Sequence, residues 1–230
     1  MKKATILTLL CVLLIPATLL LGRHLPGRGY YLTSTVVIIL ILIPFFLTFE
    51  GRKPQARELA LIAALCALAV VSRAAFAWLP NFKPIYGIII ISGIACGAQA
   101  GFLVGAVGAF ASNFLFGQGP WTPWQMLAYG ICGFIAGLCY HRKEKFPKDP
   151  LNLGLFGFIV VLFGVCPLLD TSTVFTTLTV FTPASVLSIY TAAILTNLIQ
   201  AICTLVTLLT LSKPLLTILD RIIVKYGLYQ

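Results

Sequence analysis

Apolar runs of about twenty residues follow one another along nearly the whole of this 230-residue chain. A run of that length is what an α-helix needs to cross the roughly 30 Å hydrocarbon core of a bilayer. Lipid offers the backbone no water to bond, so each run is committed to satisfying its own N–H and C=O groups as a helix. Hydrophobic residues make up 60% of the chain and charged ones 10%, against about 25% charged in a soluble domain. With a mean hydropathy of +1.03, this excludes a disordered chain, a soluble enzyme and a disulfide-stapled secreted module.

Spans are predicted near 4–22, 31–49, 57–79, 123–140, 151–169 and 184–212. The remaining stretch, 85–116, is apolar for 32 residues, too long for one span and short for two. Gly93, Gly97, Gly101 and Gly105 recur in it every four residues, with Gly87 before and Gly108 after. Glycine permits a tight turn and a close helix approach, so a turn near 97–101 predicts two short helices. The expected fold is an all-α integral membrane protein of about eight transmembrane helices.

Charge tests that count independently. The net charge of +10 would suit a nucleic-acid partner, but the basic residues lie between apolar runs and form no separate domain. With eight spans, Lys2, Lys3, Arg52, Lys53, Arg57, Arg142, Lys143, Lys145, Lys148, Lys213, Arg221 and Lys225 share one side with both termini. Arg23, Arg28 and Lys83 fall on the other, and Arg73 lies within a span. The positive-inside rule then makes both termini cytoplasmic. Were 85–116 a single span, the basic stretch 141–148 would lie outside.

The first run, behind Lys2 and Lys3, is longer than a signal-peptide core, and no A-x-A-like site follows it; it is read as a span. At the other end, Leu215, Ile218, Leu219, Ile222, Ile223 and Tyr226 recur at helical spacing, with Asp220, Arg221 and Lys225 opposite. This predicts an amphipathic helix over 213–230 lying on the inner leaflet. Three segments result: two N-terminal spans in 1–56, a six-helix core in 57–212, and the interfacial helix. The seven cysteines form no C-x-x-C pair and sit inside apolar runs, as small buried hydrophobes do.

Chemistry is sparse. The acids are Glu50, Glu58, Glu144, Asp149, Asp170 and Asp220, and all but Asp170 fall at cytoplasmic span ends or loops. No metalloprotease, nucleophile-elbow or P-loop motif is present. No catalytic residue, metal site or cofactor is therefore assigned, and ATP hydrolysis is excluded for this chain by itself.

Polar and aromatic residues gather instead at the outer span ends. Arg73, Asn81, Lys83 and Tyr86 flank the turn after the third span. Asn113 precedes the loop GQGPWTPWQM, which brings Gln118, Trp121, Trp124 and Gln125, with Tyr129 one turn further on. Asp170 and a Thr/Ser-rich loop close the seventh span, and Tyr190 and Asn197 lie in the eighth. Interfacial Trp and Tyr belts, a snorkelling Arg73 and interhelical hydrogen bonds from Asn113 and Asn197 are the structural readings of these residues. The 117–126 loop goes beyond them: its glycines and prolines stiffen a surface of flat rings beside amides, which suits a water-soluble ligand with broad ring area. On the third span Ala60, Ala63, Ala64 and Ala67 form overlapping A-x-x-x-A pairs, which let another helix approach closely, within the bundle or from a partner.

Through those alanines, the segment GIACGAQAGFLVGAVGAFASNFLFG at 93–117 and the tryptophan loop, the chain resembles the substrate-binding S-component of an energy-coupling factor (ECF) vitamin transporter. The resemblance covers roughly 57–212, six spans, as in that family, and is closest to the cobalamin type; the two N-terminal spans depart from the pattern. It implies a protein of a prokaryotic plasma membrane that captures its vitamin from outside. It further implies association with a transmembrane coupling subunit and two cytoplasmic ATPases, and toppling in the bilayer to release the vitamin inward. On this chain the outer polar set would line the pocket, and Ala60 with Ala64, or Ala63 with Ala67, would meet the coupling subunit. A self-sufficient permease would want polar residues along a path to the cytoplasm, where these spans show few. A membrane enzyme lacks an acid/base pair.

Overall fold

A computed structural model describes residues 56–141, 148–178 and 182–228, with helical positions at 13–18 and 20–22 and scattered ones between 33 and 43. The spans expected near 4–22 and 31–49, and most of the basic stretch 141–148, lie outside the described residues. The described elements are α1 (Ala56–Ala75), α2 (Ile85–Cys96), α3 (Ala98–Phe116) and α4 (Thr122–Tyr140). They continue with α5 (Pro150–Val160), a π-helical turn (Val161–Val165), α6 (Cys166–Thr177) and α7 (Pro183–Tyr226). No strand occurs among the described residues.

Among the described residues, four helices are long and apolar enough to cross a membrane: Ala56–Ala75, Ala98–Phe116, the continuous Pro150–Thr177, and Pro183–Tyr226. The chain is an all-helical membrane protein. One end of the bundle carries Trp78, the 117–121 loop and Pro183, and is called the tryptophan end below; the other, with Arg57, Lys148 and Lys213, is the basic end.

The 85–116 stretch does divide, and it divides at one residue. Gly97 has φ 95°, a backbone state that residues bearing a Cβ rarely adopt, and Ala98–Gly101 is already the first turn of α3. All twelve residues of α2 are buried, so this helix runs through the middle of the bundle. The close packing around it depends on absent side chains. A methyl group on Gly101 would collide with the Gly133 carbonyl, and one on Gly133 with the Gly101 carbonyl, so α3 and α4 meet backbone to backbone. In lipid, where apolar burial gives little drive for helices to associate, such van der Waals contact carries the packing.

Two expectations need correction. The seventh span is expected to close near 169, with 171–183 as loop; the helix instead continues to Thr177. Thr171 and Thr176 donate to the carbonyls of Pro167 and Ser172, so these hydroxyls are absorbed by their own helix. A π-helical turn interrupts it just before Pro167, whose missing N–H breaks the regular ladder. The C-terminal amphipathic stretch is likewise not a separate helix. α7 runs unbroken for 44 residues through Pro214, about 66 Å at 1.5 Å per residue. Thr182 and Ser185 cap its start reciprocally, and Gly227, at φ 61°, ends it.

Candidate functional site

Hydrogen bonds and ring contacts fix the depth of α2. Tyr86 packs edge-on against Tyr129 of α4 at 4.8 Å, while His141, just past α4, sits 3.1 Å from the Ile94 carbonyl. α4 therefore extends about 10 Å, two turns, further toward the tryptophan end than α2 does. The start of α2 becomes a floor with α4, α6 and α7 rising around it.

Around that floor lies one polar cluster. Tyr86 is fully buried and donates its hydroxyl to Gln200 Oε1 at 2.8 Å. Tyr129 is also fully buried, and its hydroxyl lies beside Tyr86 with no hydrogen bond of good geometry among the described residues. Asn197 Nδ2 donates to Asp170 Oδ2 at 2.7 Å, and Thr171 Oγ1 and Tyr190 Oη share a hydrogen bond of 2.7 Å. Asn81, held at φ 61°, reaches Thr196 Oγ1 at 3.5 Å. Lys83 is half-buried two residues further on.

The stripe of α7 facing this cluster changes character along its length. From Gln200 toward the basic end it is closed: Gln200, Ala201, Thr204, Thr207 and Leu208 are all buried. Thr204 and Thr207 donate to the carbonyls of Gln200 and Cys203. Above Gln200, Val186, Tyr190, Ala193, Thr196 and Asn197 follow the same spacing but are only half-buried. The described neighbours leave them partly uncovered.

A second network joins α1, α3 and α4. Arg73 is 8% exposed; its Nη1 donates to Ser112 Oγ at 2.6 Å and to Asn113 Oδ1 at 3.0 Å. Asn113 Nδ2 donates onward to Gln125 Oε1 at 2.9 Å and Thr122 Oγ1 at 3.2 Å. Thr122 donates to Gln118 Oε1, and Gln118 Nε2 to the Phe110 carbonyl. The two networks meet at an aromatic wall, where Trp124 stacks on Phe175 of α6 at 5.7 Å and 18°. Trp121 stands apart at the start of α4, 42% exposed.

The structure thus separates the sequence-predicted residues. Asn81, Tyr86, Tyr129, Asp170, Tyr190 and Asn197 surround the floor, with Lys83 on the approach; Arg73, Asn113, Gln118 and Gln125 bond mainly to one another. Gln200, Phe175, Thr122 and Ser112 were not singled out. Gln200 carried a signal: Tyr190, Asn197, Gln200, Thr204 and Thr207 are spaced by seven, three, four and three residues, one polar line along a helix. Ala60, Ala63, Ala64 and Ala67 are all exposed, because α1 buries its other face, Leu61, Ile62, Leu65, Cys66 and Ala69. That face meets α3, with Cys66 Sγ near the Val104 carbonyl.

The model of the family described as ECF-type riboflavin transporter, S component, matches residues 53–217. A UPF0397 protein of Lactobacillus acidophilus is 33% identical over 86 residues, 37% of this chain and 43% of the relative. One from Vibrio atlanticus is 30% identical over 83 residues, 36% and 45%. One from Aliivibrio fischeri is 32% identical over 92 residues, 36% and 46%. The matched part of the chain spans less than half the length of these curated relatives. No solved structure matches the chain.

Proposed function

The chain belongs to the family of ECF-type riboflavin transporter S components, which is a transporter family and not an enzyme family, and from that premise we propose that it captures a vitamin in the cup at its tryptophan end. The observation that carries this reading is the half-buried upper stripe of α7 above a floor built by the packed rings of Tyr86 and Tyr129.

In this reading the tryptophan end faces outward, the chain crosses a prokaryotic plasma membrane about eight times, and both termini are cytoplasmic. A transmembrane coupling subunit docks on the alanine face of α1, and two ATPases supply the energy. The closed stripe below Gln200 supports the need for such partners: its threonines bond to their own helix and leave little for a hydrated path.

For the ligand, cobalamin or a related corrinoid is our first choice, because flat rings bounded by uncharged amides and hydroxyls suit a broad, amide-decorated molecule. A second reading, a flavin, is favoured by the family's printed description and by the parallel Trp124–Phe175 pair. Titrating the purified protein, without nucleotide, with cobalamin and riboflavin in parallel separates the two. Binding of neither, beside clear binding of a third vitamin, would remove both. Uptake into vesicles lacking the ATPases would replace the S-component mechanism with a permease.

A further inference from the structure

Arg73 puts a positive charge inside the bundle, and the groups around it are neutral: Ser112, Asn113 and the face of Phe116, 4.4 Å from the guanidinium carbon. An ionisable residue at such depth invites a ligand-contact reading. Its hydrogen bonds point elsewhere. A guanidinium can only donate, so Asn113 must turn its oxygen toward Arg73 and its NH₂ toward α4. Gln125 and Thr122 must then accept, and Thr122 must pass its own proton to Gln118. Every donor from Arg73 to the Phe110 carbonyl runs in one direction. Hydrogen bonds aligned in this way reinforce one another.

That relay passes through the first turn of α4, where Trp124 sits between Thr122 and Gln125. We propose that Arg73 is a positioning residue: by fixing the polarity of the relay it holds the first turn of α4 where Trp124 stacks on Phe175, and so shapes the aromatic wall of the cup. The importance of the wall rests on the function proposed above; the positioning itself does not.

The test uses the full chain with Trp78→Phe and Trp121→Phe, leaving Trp124 as the sole tryptophan, purified without vitamin. Arg73→Met and Asn113→Leu are each expected to shift Trp124 emission to longer wavelength and to increase its quenching by acrylamide. The double variant should go no further than the stronger single, since both cut one relay. Arg73→Lys, a donor-only cation, should retain most of the native spectrum. Unchanged emission and quenching in Arg73→Met would overturn the proposal; a reduced vitamin affinity beside them would make Arg73 a ligand contact instead. If Arg73→Met fails to fold, Gln125→Leu cuts only the link from Asn113 to Gln125 and should give the shift; an unmoved spectrum there also overturns it. The readout needs no vitamin, so failure to bind cobalamin or riboflavin counts against the proposed function and leaves this inference intact.

Discussion

Asn197 and Asp170 form a bond across two helices: the amide of α7 donates to the carboxylate of α6 at 2.7 Å, where Asp170 is only 8% exposed. This pair ties together the upper walls of the cup. Asn197→Leu leaves a buried carboxyl group without that donor and should lower stability by about 1–3 kcal/mol, read as a fall in thermal unfolding temperature in detergent. The double variant Asp170→Leu/Asn197→Leu, which removes both polar partners, should recover much of the loss. A double variant as unstable as the sum of the singles would show that the pair is not coupled.

Tyr129→Phe separates ligand contact from structural support. The hydroxyl makes no hydrogen bond of good geometry among the described residues, so its removal should leave the unfolding temperature unchanged or raised. Vitamin binding should weaken by about tenfold, or roughly 1.4 kcal/mol. Lost stability with normal binding would mean that the hydroxyl is held by the fold.

The crossing of α3 and α4 permits a test by one methyl group. Gly133→Ala drives a Cβ into the Gly101 carbonyl and should cost about 1–3 kcal/mol or more. Gly108→Ala places its methyl 3.6 Å from the Ala69 Cβ, an ordinary contact, and should be tolerated. Equal effects at the two sites, measured by unfolding in the same detergent, would contradict the described crossing.

Ala64→Trp and Ala60→Trp alter a face of α1 that packs against nothing described. Each should leave vitamin binding by the purified chain unchanged and abolish uptake in vesicles containing the complete transporter. Loss of binding together with uptake would place these alanines inside the bundle.

The helices were legible where one physical rule governs them. Apolar length marked α1, α3 and α4, and the glycine period marked the break before α3, although only Gly97 has the positive φ that makes it. Continuity was harder to read. The change to an amphipathic pattern suggested an end at 212, yet backbone hydrogen bonds carry α7 past it and through Pro214. The Thr/Ser run after Asp170 reads as loop by composition; hydroxyls that donate to their own helix carbonyls allow such a run to stay helical in lipid. Among the polar residues, the sequence showed that they gather at one end of the spans but not how they divide between the Tyr86 cluster and the Arg73 relay. That division depends on helix rotation: Asn113 and Tyr129 are equally polar in sequence, and only the crossing of α3 and α4 turns one toward Arg73 and the other toward Tyr86.

Because every residue of α2 is enclosed by other helices, none of its surface is matched to the thickness of the surrounding lipid. A thinner or thicker bilayer is met by tilt of the helices that touch acyl chains, above all the long α7. The platform made by Pro84–Tyr86 is suspended from protein alone, so its depth is insulated from changes in lipid composition.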